Sequence, residues 1–142
     1  MVTFTAFNNY KEQLARSGID WENDTIKVAL MTTAYTPNID TQENWSDVSS
    51  NESSGTNYTA GGNTVANITV TQDNVNDRAV VDGDDVVFTN ISVSYQYAVM
   101  YKDTGTPSTS TLIGYADRGS SVTLSNENIE IRFSATGINT LN

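Results

Sequence analysis

The sequence predicts an all-β protein: an antiparallel β-sandwich, jelly-roll-like, of about seven or eight strands with one short N-terminal α-helix. Three observations predict it. Apolar residues recur at every second position in short runs between Ile26 and Phe133, and Gly, Asn, Asp and Ser punctuate the runs. Helical spacing stands out once, near the start. Hydrophobic residues make up only 37% of the chain, and the Ser, Thr and Asn that replace them favour turns and loops. A chain of 142 residues suffices for one core, so residues 1–142 read as a single domain.

Residues 1–18 read as an arm and a helix. In "FNNYKEQLARS", Phe7, Tyr10 and Leu14 fall at i, i+3 and i+7, and Gly18 follows as the C-cap. A helix of about three turns is marginal alone, so its apolar side must dock on something. "TIKVALMTTAY" (25–35) then alternates Ile26, Val28 and Leu30 against Lys27, Ala29 and Met31, the period of a strand. Residues 36–63 form a long polar segment. Loops of that length are binding loops or mobile arms more often than connectors; Trp45 and Tyr58 inside it predict an ordered excursion. "TVANITVTQ" (64–72) reads as one half-buried strand. "AVVDGDDVVFTNI" reads as two short strands about Asp82-Gly83, a dipeptide favoured in hairpin turns. "VSYQYAVMYKD" (93–103) is apolar on both faces, which predicts a central strand. "TLIGYAD", "SVTL" and "NIEIRFSA" complete the series.

Charge and composition exclude several functions. The net charge is −10, a field that repels nucleic acid and anionic membrane surfaces. Neither Cys nor His is present, which removes disulfides, Cys-His and Ser-His-Asp catalysis and ordinary zinc sites. No signal peptide or membrane-length apolar run is visible. The densest carboxylate cluster is Asp82, Asp84 and Asp85, with Asp73 and Asp77 upstream. A calcium loop starting at Asp73 would set Val75 where an oxygen ligand belongs, so the cluster reads as a solvated turn and no metal is expected. An acid-pair glycosidase needs no His, but no pair stands out among 17 acids. The sequons at Asn23, Asn44, Asn51, Asn57, Asn67 and Asn90 follow from composition. Trp21, Trp45, Tyr58 and the tyrosines from Tyr95 to Tyr101 could stack on sugars, but alternate tyrosines of a central strand are usually packing.

Two segments carry a resemblance. "YKEQLARSGIDWENDTIKVALMTTAYTPNID", with "YAVMYKDTG…TLIGYAD…SVTLSNENIEIRFSATGI…L", resembles a family of small virion structural proteins of tailed phages. The family pattern reads D-T-I-K-V-A-L-x-T-x-x-Y-T-P, then D-A-D-D-V-x-F/W, A-V-x-Y-K-D-T-G, L-I-G/A-Y-x-D and I-x-W/F-x-x-x-G-I-x-x-L. It matches residues 24–37, 83–88, 98–105, 112–117 and 131–141. This chain departs in Arg118 after Asp117 and in a longer Ser/Asn-rich segment over 41–62.

The resemblance implies a non-enzymatic capsid decoration or cement protein without cofactor, made in the host cytoplasm and bound to the outer surface of the head. Its implied partners are the major capsid protein and further copies of itself, a trimer being favoured. The alternatives are a tail or fibre component with residues 36–63 as a receptor-facing loop, and a carbohydrate-binding module. Phe4, Phe7, Tyr10 and Leu14, concentrated ahead of the first strong strand, are the candidate assembly interface. A sandwich of this size could close its core without them.

Overall fold

Ten strands, one α-helix and three short 3-10 helices make up the computed structural model, which describes residues 1–141. The chain is all-β, and every pairing between strands is antiparallel. After β1 (Thr5–Ala6), helix α1 (Asn8–Ala15) and β2 (Ile26–Met31) come β3 (Asn63–Thr64), β4 (Thr69–Asp73), β5 (Arg78–Asp82) and β6 (Val86–Ile91). Then follow β7 (Ser94–Lys102), β8 (Leu112–Thr123), β9 (Glu127–Ile131) and β10 (Asn139–Leu141). They form a five-stranded sheet β1-β8-β7-β2-β3, a three-stranded sheet β10-β5-β4 and a pair β6-β9.

β7 is central, as its two apolar faces predict. It pairs with β2 from Ile26↔Lys102 to Met31↔Tyr97 and with β8 on its other side. Directly paired residues share a face, so Ala29 and Met31 lie with Val99 and Tyr97, while Val28 and Leu30 lie with Met100 and Ala98. The second set joins Val86, Phe88 and Ile131 of the β6-β9 pair in one continuous core. On the opposite side the sheet meets aromatic side chains from the start of the helix, the end of the β2 run and the long segment. Tyr35 meets Tyr97 edge-on at 5.3 Å, Trp45 stacks on Tyr101 at 4.4 Å, and Phe7 packs on Tyr115 at 5.9 Å. β2 is therefore buried on both faces except at Lys27.

Four local expectations are corrected. The helix is closed by Ser17, which takes the left-handed conformation (φ 60), while Gly18 N–H donates to the Gln13 carbonyl at 2.7 Å. With Ser17 N–H on the Leu14 carbonyl, this is a Schellman closure in which Gly18 is the residue after the left-handed one. The run 64–72 is broken at Asn67 (φ 52) into β3 and β4. Asp82-Gly83 is not a hairpin turn, since β5 pairs with β4 and β10 while β6 pairs with β9. The hairpin lies one connection earlier, between β4 and β5, where the Asp73 side chain accepts the backbone N–H groups of Val75 and Asn76 and pairs with Arg78. Finally, "TLIGYAD" and "SVTL" belong to the single strand β8, whose pairing with β7 shifts register between Tyr97↔Asp117 and Tyr95↔Val122.

Candidate functional site

The motif residues of the two resembling segments meet at one end of the β2–β7 ladder. Lys27 Nζ lies 2.6 Å from Asp103, and Lys102 Nζ lies 2.9 Å from Asp24. Because β2 and β7 run antiparallel, "D-T-I-K" and "Y-K-D" cross and satisfy each other's charges. The hydrogen bond from Lys27 holds the Asp103 carboxyl below the usual carboxylate range. Asp103 also accepts from Gly105 N–H at 2.9 Å, and Asp117 accepts from Gly119 N–H at 2.7 Å. Both glycines have positive φ, 80 and 87. Each apolar run thus ends in the same device, an aspartate that caps a turn which glycine makes possible.

Beside this clamp lies a cavity of about 310 Å³ whose lining includes Lys27, Trp45, Glu52, Gly61, Tyr101 and Asp103. Glu52 Oε1 accepts from Tyr58 Oη at 2.8 Å and from Gly61 N–H at 2.6 Å. Tyr58 Oη in turn accepts from Leu30 N–H at 2.9 Å, and Tyr101 Oη donates to the Gly61 carbonyl at 2.8 Å. Desolvation pushes Glu52 above the usual carboxylate range and raises the Tyr58 and Tyr101 hydroxyls as well. One raised and one lowered carboxyl in one pocket is a pattern that acid–base enzymes use. Here both carboxyls are committed to backbone, tyrosine and lysine partners, and Trp45 presents one face to Tyr101 and is 7% exposed. The arrangement anchors the long segment to the central sheet. Trp45 and Tyr58 predicted that anchoring; Glu52 lies outside any periodic pattern and carried no sequence signal.

The four candidate assembly residues divide. Phe7 (0% exposed) and Tyr10 (2%) are core side chains of their own domain. Tyr10 meets Trp21 edge-on at 6.1 Å and accepts from Asn139 Nδ2. The expectation of one free apolar helix face is corrected at these two positions, whose side chains are buried in the core of their own domain. Phe4 and Leu14 are half-buried and pack against the same core, Phe4 on Phe133 at 6.1 Å.

The aspartates near residue 80 work singly. Asp82 accepts from Gly83 N–H, Asp84 from Asn67 Nδ2 at 2.6 Å and Asp85 from Phe133 N–H at 2.7 Å. Among the described residues no group of three acidic side chains converges as a metal site would require, and no helix is long and apolar enough to cross a membrane. No family model, curated protein or solved structure matches the chain.

Proposed function

We propose that the chain is a non-enzymatic structural protein of a tailed-phage virion, a decoration or cement protein bound to the outer surface of the head. The observation that carries this reading is the reciprocal clamp of Asp24, Lys27, Lys102 and Asp103. The residues through which the chain resembles that protein family pair with one another and finish strands, which is what motifs of an architectural protein do. The charge supports an outward position, since five of the seven cations sit in ion pairs and most of the 17 acids have no cationic partner. A surface so acidic repels packaged DNA. The partners are the major capsid protein and further copies of the chain, a trimer by family likeness.

The pinned segment 36–63 favours the head over the tail: its aromatic residues pack inside the domain, Trp45 on Tyr101 and Tyr58 on Phe88, instead of facing a receptor. The test is addition of the purified chain to heads that lack it. Saturable binding and a raised temperature of head disruption are expected. An effect confined to adsorption, with head stability unchanged, would instead assign the chain to the tail.

A further inference from the structure

We propose that Asp82-Gly83 is a self-modification site, at which the folded chain converts Asp82 to isoaspartate through a cyclic imide. The proposal goes beyond the virion reading and does not rest on it. The dipeptide makes no hairpin, and nowhere else in the chain does glycine follow Asp or Asn. Its geometry is also singular. The Asp82 carboxyl accepts the N–H of the very next residue, Gly83, at 2.9 Å. The other turn-capping aspartates reach further along the chain: Asp73 to Val75, Asp103 to Gly105 and Asp117 to Gly119. Asp82 thus holds its carboxyl against the one amide nitrogen from which a five-membered ring can close. Reacting groups already held in contact gain much of the advantage of an intramolecular step.

Three features keep the step open. Asp82 is exposed at the end of β5, and Gly83 to Asp85 form no strand. Gly83 N–H has no other acceptor among the described residues, so no ladder bond must break before the nitrogen reacts. Both residues border an open depression of about 440 Å³, which leaves space for the ring and for water. Packing explains why glycine stands there: a Cβ on Gly83 would lie 3.0 Å from Val65 Cγ1 and 3.2 Å from the Ala66 carbonyl oxygen. The residue that the fold requires also leaves the nitrogen unshielded.

The atoms balance with water as the only partner. The Gly83 nitrogen bonds Cγ of the protonated carboxyl, and the departing hydroxyl leaves with the amide proton as one water. Water then adds to the imide. Opening at Cγ restores aspartate; opening at the former main-chain carbonyl leaves the peptide running through Cβ and Cγ, one methylene longer. The longer link falls where Asp84 N–H donates to the Ala66 carbonyl at 2.9 Å and Asp85 accepts from Phe133 N–H at 2.7 Å. Isomerisation therefore pulls against the bonds that tie the connection between β5 and β6.

The test incubates the full folded chain at pH 7 and physiological temperature for several weeks, beside the same chain unfolded in guanidinium chloride. Isoaspartate is read by methyl transfer from S-adenosylmethionine with an isoaspartyl methyltransferase and is placed by peptide mapping. The folded chain is expected to accumulate it at residue 82, without net change in mass, to a fraction at least as large as in the unfolded chain. That fraction is expected to unfold at a lower urea midpoint than the parent. Asp82→Glu, which keeps the charge at an exposed position, is expected to lose the signal, because its larger imide ring closes far more slowly. Asp82→Asn is expected to gain the signal faster, since ammonia leaves more readily than the carboxyl oxygen. Absence of isoaspartate at residue 82, protection of the folded chain relative to the unfolded one, or an equal signal from other aspartates would overturn the proposal. So would an undiminished signal in Asp82→Glu, no gain in Asp82→Asn, or an isomerised fraction with the parent's midpoint.

Discussion

Glu52 and Asp103 line one cavity, yet their surroundings push them in opposite directions. Asp103 titrates lower in the folded chain than in the unfolded one, so its stabilising contribution is present above its ordinary pKa and is lost as the pH falls through the folded value. For Glu52 the sign is reversed: burial raises it, so its contribution is present below its ordinary pKa and is lost as the pH rises through the raised value. Two substitutions separate the effects. Asp103→Asn, which removes the partner of Lys27, is expected to destabilise at pH 7 by about 1 kcal/mol, the upper end for a partly exposed pair, with the loss shrinking towards pH 3. Glu52→Gln keeps an acceptor for Tyr58 and Gly61 and removes the charge. It is expected to leave the chain at least as stable as the parent at pH 7 and to converge with it in acid. Urea unfolding of both variants between pH 3 and pH 8 checks the signs; parallel curves for the two would show that the cavity does not divide the carboxyls in this way.

The elements whose period is carried by their own side chains were legible in the sequence; those set by partners were not. The strong alternation of Ile26, Val28 and Leu30 and the two-faced run from Tyr95 to Tyr101 correspond to β2 and β7 at the middle of the main sheet. The breaks were less readable. Asn67 and Asp77 adopt positive φ with nothing in the local pattern to announce it. Asp82-Gly83 has hairpin chemistry, yet the pairing partners of β5 and β6 lie elsewhere in the chain. The helix showed its apolar spacing but not its destination, because Phe7 packs on Tyr115 and Tyr10 bonds Asn139, both far away in sequence. Removing residues 1–17 is therefore expected to prevent folding, since loss of one large aromatic core side chain alone costs about 3–5 kcal/mol; a cooperative melt of the truncated chain would contradict this packing. At the edge of the sheet, Gly62 (φ 74) lets β3 approach β2 so closely that an added Cβ would lie 2.0 Å from the Val28 carbonyl oxygen. Gly62→Ala is expected to destabilise by more than about 2 kcal/mol, read as a lower midpoint in urea; an unchanged midpoint would show that β3 can move away at little cost.

On the scale of the whole molecule, Tyr35, Trp45 and Phe7 pack on the Tyr97, Tyr101 and Tyr115 face of the central sheet, and the long segment also reaches β6 through the stacking of Tyr58 on Phe88. The helix and its lead-in have few apolar side chains to offer a neighbour, Phe4 and Leu14 at most in part. On the proposed function, contacts between copies and with a capsid shell would fall to the outer strands, the arm and the acidic loops. Like charges on a chain of net charge −10 repel at low salt, so binding to a shell is expected to need complementary basic surface there. The most direct measurement is cryo-electron microscopy of particles that contain the chain, compared with particles that lack it. The account predicts additional density on the outer face of the head, at repeated symmetry-related positions, into which the ten-stranded domain fits. Density confined to the tail, or inside the shell against DNA, would contradict it.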